Sequence, residues 1–225
     1  MIYTIVSDTD TVRNAVLAAN LAASLAKEGR KVLLIEANLH MHLLLWTLRR
    51  YRREARLNFP VLPLIDGGLY QALQEHGSSY LDIVINVGAT NSSTLRTALI
   101  AAKVLIVPIE RRHMQLKNQD ALKKIADAAK LFNPLVQTHL LATGNSAAMS
   151  VQDYAAAMAL AEQYPGCALL TQQLACNAEA LQAFQRGLSV FEDGRVDEAV
   201  TRDMTRLCRQ LCGGATVKAL ARQVQ

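Results

Sequence analysis

Residues 2–38 decide the fold of this chain, and they read IYTIVSDTDTVRNAVLAANLAASLAKEGRKVLLIEAN. Two short runs of β-branched residues and leucine, 2–6 and 31–35, predict buried strands. Between them, residues 12–27 are rich in alanine and leucine and predict a helix that ends before Gly29. The stretch therefore predicts a β-turn-α-β unit. In such a unit a phosphate binds at the loop before the helix, where free N–H groups and the positive end of the helix dipole meet.

The loop at that position lacks the residues that hold a phosphate. Residues 7–11 read Ser-Asp-Thr-Asp-Thr, with two carboxylates and no glycine, and residues 13–15 read Arg-Asn-Ala where a phosphate loop has Gly-Lys-Ser/Thr. Glycines let backbone N–H groups close around a phosphate, the lysine neutralises its charge, and the hydroxyl reaches Mg²⁺. We therefore expect no efficient ATP hydrolysis.

The run from Asn20 to His40 resembles the ParA/MinD family of deviant-Walker ATPases, which reads NLAAALAKxGKRVLLIDADPQ there. A gapless alignment on Asn20 places substitutions at every phosphate-loop position of the family. Thr9 stands where the family has its signature lysine, and Asp10, Thr11 and Arg13 stand where it has glycines. Asn14 replaces the P-loop lysine, and Ala15 replaces the residue whose hydroxyl binds Mg²⁺. The family's two aspartates after the second strand fall on Glu36 and Asn38, so the resemblance implies a site that keeps one carboxylate and loses one.

The resemblance continues to about residue 192. Residues 80–89 are similar to the family's YDxVIIDxxG strand, whose last aspartate organises Mg²⁺ and water and is Asn86 here. Residues 93–109 and 179–192 resemble the blocks LRxAL…ADxVLVPVxP and xxAFxxAxxxGxxVxE. The resemblance implies an α/β domain of P-loop NTPase type, with a mostly parallel sheet of about seven strands and helices on both faces.

The remaining sequence alternates strand and helix patterns in the same way. The prolines around Val61 and Leu62 favour an edge strand. Further strands are predicted to end at Asn86 and to span 103–109, 137–143 and 167–174. Helices are predicted over 41–56, 68–76, 93–101, 114–132, 150–164 and 195–211, with one more after the break at 213–214. This order predicts one domain over 1–225, with C-terminal helices over about 195–225.

Composition sets wide bounds on function. The chain has 225 residues, 51% of them hydrophobic, and a formal net charge of +5. This excess of positive charge is compatible with a polyanionic partner but is common in proteins that bind none. No apolar stretch approaches the about 18 residues that span a bilayer, and no secretory signal precedes the first strand. We expect a cytoplasmic protein.

Two groups of residues raise the question of a metal ion. Asp8, Asp10 and Glu36 follow the first two predicted strands, where a parallel sheet has its ligand crevice. The alternative is that Thr9, Asp10 or Thr11 caps the following helix, and this is favoured because carboxylates and hydroxyls are preferred there. His40 and His42 have no third ligand in the sequence pattern. We expect no metal and no other cofactor.

Basic residues near the C-terminus are candidates for DNA contact. Arg202, Arg206 and Arg209 recur at i, i+4 and i+7, and Lys218 and Arg222 repeat the spacing. Such a stripe follows a phosphate backbone or forms a solvated face balanced by neighbouring carboxylates. The resemblance favours the first, because ParA-type proteins bind DNA without sequence preference through basic residues of C-terminal helices. The arginines of 49–53 and the pair 111–112 are secondary candidates.

Three functions follow from these residues and this resemblance, and the first two are the main alternatives. The first is a DNA-segregation or plasmid-partition protein that lost the Walker A motif, binds DNA non-specifically and works with a ParB-like or other adaptor as a homodimer. The second is a MinD-like scaffold without ATPase activity that positions a membrane, secretion or division complex without DNA. A third is an ATPase with a rebuilt phosphate site.

Overall fold

The computed structural model describes residues 1–7, 12–53, 59–64, 68–88, 93–110, 120–144, 151–164, 166–170, 174–175 and 178–213. The strands in these ranges are β1 (Ile2–Ile5), β2 (Val32–Ala37), β3 (Val61–Pro63), β4 (Asp82–Val87), β5 (Val104–Glu110), β6 (Gln137–Gly144), β7 (Cys167–Leu169) and β8 (Leu174–Ala175). The helices are α1 (Val12–Lys27), α2 (His42–Tyr51), α3 (Leu69–His76), α4 (Ser93–Ala101), α5 (Asp120–Phe132), α6 (Val151–Gln163), α7 (Ala178–Gln185) and α8 (Glu198–Gly213).

All pairings among these described strands are parallel, and the strands lie in the order β3-β2-β4-β1-β5-β6-β7, with β8 also paired to β6. The prediction of a mostly parallel sheet of about seven strands is confirmed. The short strand β3, bracketed by prolines, lies at the edge as predicted, because proline lacks the N–H that a central strand donates.

Helices cover both faces of the sheet, as predicted. One face carries the apolar side chains of α1, α2, α7 and α8, and the opposite face carries those of α3, α4, α5 and α6. From β1 the chain passes through α1 and α2 to β2 and β3 at one edge of the sheet. From β3 it returns through α3 to β4, and α4 to α6 then lead to β5, β6 and β7 toward the other edge. Each crossover is therefore consistent with the right-handed connection that the twist of parallel strands favours.

The helix α1 lies at the centre of the first layer. An unbroken run from Asn14 to Leu25 is buried, so the helix is covered on all sides. Alanine suits this place, because its small side chain lets α1 pack closely against the sheet and against α7 and α8. The predicted strand-helix-strand unit of residues 2–38 thus forms the core of the domain.

Several predicted boundaries need correction. The second helix begins at His42 and ends at Tyr51 rather than spanning 41–56, since Met41 adopts a left-handed conformation with φ of 49°. The predicted strand 167–174 is two separate strands, β7 and β8. The helix predicted from residue 195 begins at Glu198, where the Asp197 carboxylate accepts a hydrogen bond from the N–H of Ala199 at 2.6 Å.

Candidate functional site

The candidate site lies at the carboxyl ends of β1, β2 and β4. These strands are neighbours, and Glu36 of β2 lies opposite Asn86 of β4 in the register. The chain leaves β1 toward one face of the sheet and β4 toward the other, and such a switch point is where open parallel sheets have their ligand crevice. The fold therefore brings together residues that are 50 positions apart in sequence.

Glu36 is fully buried, and two of the described residues donate hydrogen bonds to its carboxylate. One oxygen accepts the backbone N–H of Leu43 at 2.6 Å, and the other accepts the side-chain amide of Asn86 at 2.7 Å. Leu43 lies in the first turn of α2, so the carboxylate meets the positive end of that helix. The Glu36 carboxylate thus tethers β2 to α2 and β4.

Asn86 donates to Glu36 through its nitrogen, while its side-chain oxygen has no hydrogen-bond partner among the described residues. The residue is 1% exposed. An aspartate here, as the resemblance implies for the family, would set a second carboxylate against Glu36. Asparagine instead supplies the N–H that a buried carboxylate requires.

Asn14, at the position of the P-loop lysine, is also buried. Its side-chain amide donates to the Ser7 hydroxyl at 2.7 Å and so ties α1 to the end of β1. Ala15, at the position of the Mg²⁺-binding hydroxyl, is fully buried. Both side chains belong to the packing of α1 under the sheet, and neither carries the positive charge or hydroxyl that a phosphate loop uses.

Asn38 shapes the loop between β2 and α2. Its side-chain oxygen accepts the N–H of His40 at 3.0 Å, and its backbone oxygen accepts the N–H of Met41 at 3.1 Å. At 2% exposure it is a buried turn residue. The His40 and His42 rings stack with centroids 5.8 Å apart.

The described positions do not fit Mg²⁺ and ATP in the manner of the family. A lysine, a hydroxyl and an aspartate are replaced by Asn14, Ala15 and Asn86, and the carboxylate of Glu36 is engaged by two donors. No three His, Cys, Asp or Glu side chains in the described ranges are placed to hold a metal ion. The positions Asp8, Thr9, Asp10 and Thr11 lie outside the described residues, while Arg13 is half-buried at the start of α1.

The far end of α2 is held by an ion pair that the sequence analysis missed. The Arg50 guanidinium donates to both oxygens of Glu192, at 2.7 and 2.8 Å, and lies over the rings of Trp46 and Phe59. The prediction that Arg50 is a secondary DNA contact is therefore wrong, because its side chain is buried. The sequence pattern that indicates this burial is the position of Arg50 four residues after Trp46 and seven after Leu43. At this spacing all three lie on the buried face of α2.

Ser189 and Gly187 complete this contact. The Ser189 hydroxyl and N–H both donate to the Glu192 carboxylate, at 2.8 and 3.1 Å. Gly187 has φ of 80°, and a Cβ at this position would lie 2.5 Å from the Arg50 backbone nitrogen. The chain between α7 and α8 thus packs closely against the end of α2.

The first three DNA candidates lie on α8 and all are exposed. Arg202, Arg206 and Arg209 face away from the buried Met204 and Leu207. Asp203 is also exposed, and its carboxylate is 3.7 Å from the Arg206 guanidinium. Lys218, Arg222 and the secondary pair 111–112 lie outside the described residues.

Solved structures share this fold over nearly the whole chain. The MinD cell division protein of Aquifex aeolicus has a TM-score of 0.63 at 16% identity, covering 94% of this chain and 97% of that chain. A putative plasmid partition protein from Borrelia burgdorferi bound to AMPPNP has a TM-score of 0.64 at 13% identity, covering 92% and 96%. Cobyrinic acid a,c-diamide synthase from Mycobacterium smegmatis, with bound ATP analog and magnesium, has a TM-score of 0.65 at 15% identity, covering 96% and 97%.

These similarities establish the fold as the α/β fold of ParA/MinD-type P-loop ATPases, and the predicted resemblance is confirmed at that level. A scan against protein-family models finds no match, and a search of curated proteins finds no related sequence. None of the described helices combines the length and the hydrophobicity that a bilayer-spanning segment requires. Proteins with this fold include a cell division protein, a putative plasmid partition protein and a cobyrinic acid a,c-diamide synthase, so the fold alone does not specify the function of this chain.

Proposed function

We propose that this protein is a ParA-like DNA-segregation or plasmid-partition protein whose Walker A motif is lost. In this proposal it does not hydrolyse ATP, binds DNA non-specifically as a homodimer, and acts with a ParB-like or other adaptor. The observation that carries the proposal is the exposed arginine face of α8.

The arginine face is built by helical periodicity. Met204, Leu207 and Leu211 bury one side of α8, and spacings of four and three residues place Arg202, Arg206 and Arg209 on the opposite side. Three guanidinium groups in a row on an exposed helix face can neutralise neighbouring phosphates of a DNA backbone. Phosphate contacts of this kind carry no base information, so the binding is expected to be independent of sequence.

A fluorescence-polarisation titration of random-sequence duplex DNA at several salt concentrations tests this surface. We expect the affinity to fall steeply with salt and to differ little between sequences. The double variant Arg202→Glu, Arg206→Glu is expected to bind at least tenfold more weakly, a loss of about 1.4 kcal/mol, with an unchanged fold. The matched control is Lys123→Glu, Lys124→Glu, which makes the same charge change at two exposed positions of α5.

The proposal fails if the wild-type protein has no salt-dependent affinity for duplex DNA. It fails equally if the α8 variant binds as tightly as the wild type, or if the α5 control loses as much affinity as the α8 variant. In the first case the scaffold function without DNA replaces it, and in the other two cases the DNA contact does not depend on the arginine face of α8.

The loss of nucleotide chemistry is the second part of the proposal. The buried amide of Asn14, the methyl of Ala15 and the engaged carboxylate of Glu36 support it. We expect no ATP turnover and ATP binding weaker than about 1 mM by calorimetry. Asn14→Lys alone is expected to restore neither, since the glycines and the hydroxyl are also missing. Micromolar ATP binding by the wild type would favour the third function, an ATPase with a rebuilt site.

Assembly is expected to be independent of nucleotide for the same reason. The resemblance implies dimers that hold ATP between the subunits, and the described site residues do not support such a contact. Light scattering of the purified protein is expected to give the same mass with and without ATP and Mg²⁺. A dimer that forms on addition of ATP would contradict this part of the proposal.

A further inference from the structure

The outward side of α2 combines exposed apolar side chains with arginines. Leu45, Leu48 and Tyr51 are 48%, 56% and 88% exposed, and Leu39, just before the helix, is 73% exposed. Arg49, Arg52 and Arg53 are exposed at the C-terminal end of the helix. We name these seven residues the α2 face. The sequence from Ala37 to Arg53 contains no aspartate or glutamate, so the α2 face carries positive charge alone.

Helical geometry places the apolar and basic residues side by side. Leu43, Trp46 and Arg50 mark the buried side of α2, which packs on the domain. At about 100° per residue, Leu48 and Arg52 lie nearly opposite that buried side, with Leu45 beside them. The centre of the outward side is therefore leucine in the first turns and arginine in the last.

The α2 face is held in a fixed position from both ends. The Glu36 carboxylate accepts the Leu43 N–H at 2.6 Å, and Arg50 pairs with Glu192 at 2.7 Å. Leu39 is positioned by the two hydrogen bonds that Asn38 makes within the turn. The exposed leucines thus project from a preformed helix of 10 residues, about 15 Å long, that needs no folding to present them.

Three other occupants suit this surface poorly. A second copy of the chain would bring the three arginines of one α2 face against those of the other, and such a contact between like charges is unfavourable. A nucleic acid gains little from Leu45 and Leu48, which neither stack nor form hydrogen bonds. A protein partner would need a shaped apolar counterpart for the leucines and acidic groups opposite the three arginines, whereas an anionic lipid surface offers an apolar interior and negative charge without a shaped pocket.

We propose that the α2 face docks on an anionic lipid surface. The leucines would enter the boundary between headgroups and acyl chains, where an apolar side chain leaves water without needing a shaped pocket. The arginines would lie among the negative headgroups, and the Tyr51 ring and hydroxyl suit the same boundary. The protein would lie on the membrane with α2 parallel to its plane. This inference is independent of the proposed DNA contact of α8, because it uses a different helix.

Sedimentation with vesicles tests the proposal on the whole chain. The probes are vesicles of phosphatidylcholine alone and of equal parts phosphatidylcholine and phosphatidylglycerol. We expect at least tenfold tighter binding to the anionic vesicles, falling as salt is raised. Leu45→Ser with Leu48→Ser is expected to weaken that binding at least tenfold. The matched control is Leu131→Ser with Leu135→Ser, two exposed leucines at the end of α5 and in the turn that follows it.

Each result decides for or against the α2 face. Loss of binding in the α2 leucine variant with full binding in the control supports the proposal, provided that both variants unfold at the same urea concentration as the wild type. Equal binding to both vesicle types, or no binding, overturns it. An α2 leucine variant that binds like the wild type also overturns it, because the attraction would then be charge alone. A photo-crosslinker at position 48 tests the alternative of a protein partner. If it crosslinks a single protein, if Leu48→Ser abolishes the binding of that purified protein, and if vesicles are not bound, the α2 face is a protein interface and the lipid proposal is overturned.

Discussion

Replacing Asn86 by aspartate tests how the candidate site is held together. In the wild type the Asn86 amide donates to the Glu36 carboxylate at 2.7 Å, and the two residues are 1% and 0% exposed. Asn86→Asp exchanges this donor for a second carboxylate. Two unit charges at that separation repel by about 6 kcal/mol at an effective dielectric of about 20. One carboxyl can relieve part of this repulsion by keeping a proton, so we expect a loss of about 3 kcal/mol at neutral pH.

Urea unfolding at several pH values measures this loss. The folded variant binds more protons at the facing carboxyls than the unfolded chain does, so its stability falls as pH rises. We therefore expect the difference from the wild type to be larger at about pH 8 than at about pH 5. A loss of stability that increases with pH is the result that repulsion between two ionised carboxylates produces.

The variant Glu36→Gln, Asn86→Asp is the matched control. It restores one amide facing one carboxylate with the roles exchanged, and the side-chain oxygen of the introduced glutamine is still able to accept the Leu43 N–H. We expect the double variant to be more stable than Asn86→Asp alone by about 2 kcal/mol. The reasoning is refuted if the double variant is no more stable than the single one, or if Asn86→Asp is as stable as the wild type at neutral pH.

Three further predictions concern stability measured by urea unfolding. Arg50→Ala leaves the buried Glu192 carboxylate without its ion pair and is expected to cost about 3–5 kcal/mol, and a loss below about 1 kcal/mol would show that the pair is dispensable. Gly187→Ala is expected to cost about 2–4 kcal/mol because its Cβ would meet the Arg50 backbone, whereas Gly29→Ala, with φ of 78° and open space, should cost about 1 kcal/mol. Burial lowers the pKa of His139, whose ring nitrogens have no hydrogen-bond partner among the described residues. Stability should therefore decrease as pH falls below about 6.5, and a His139→Leu variant that keeps the same decrease would contradict this cause.

Much of the fold was predictable because it follows from local patterns. The β-branched runs at 2–6 and 31–35 and the alanine-rich stretch between them predict a strand-helix-strand unit from residues that lie close together in sequence. The prolines around Val61 specify an edge position through a missing N–H. Boundaries were less predictable, since the helix start at His42 depends on the turn that Asn38 holds.

The roles of the candidate site residues were less accessible. In the sequence, Glu36 is part of an acidic group that could bind a cation. In the structure, its carboxylate instead accepts hydrogen bonds from the first turn of α2 and from Asn86. Arg50 belongs by its sequence to an exposed basic cluster, and the structure pairs it with a residue 142 positions later. In both cases a partner is distant in sequence.

The sequence by itself determined the element types, the parallel sheet and the absence of a lysine and glycines from the loop before α1, because periodicity and residue identity are local properties. Only the tertiary structure decided which charged groups remain exposed to solvent. A charge is buried when the order of the strands and the packing of α2 bring it a partner, as for Glu36 and Arg50, and it stays exposed when helical spacing points it away from the core, as for Arg202 and Arg52. Those exposed charges are the ones on which both proposed surfaces of this protein depend.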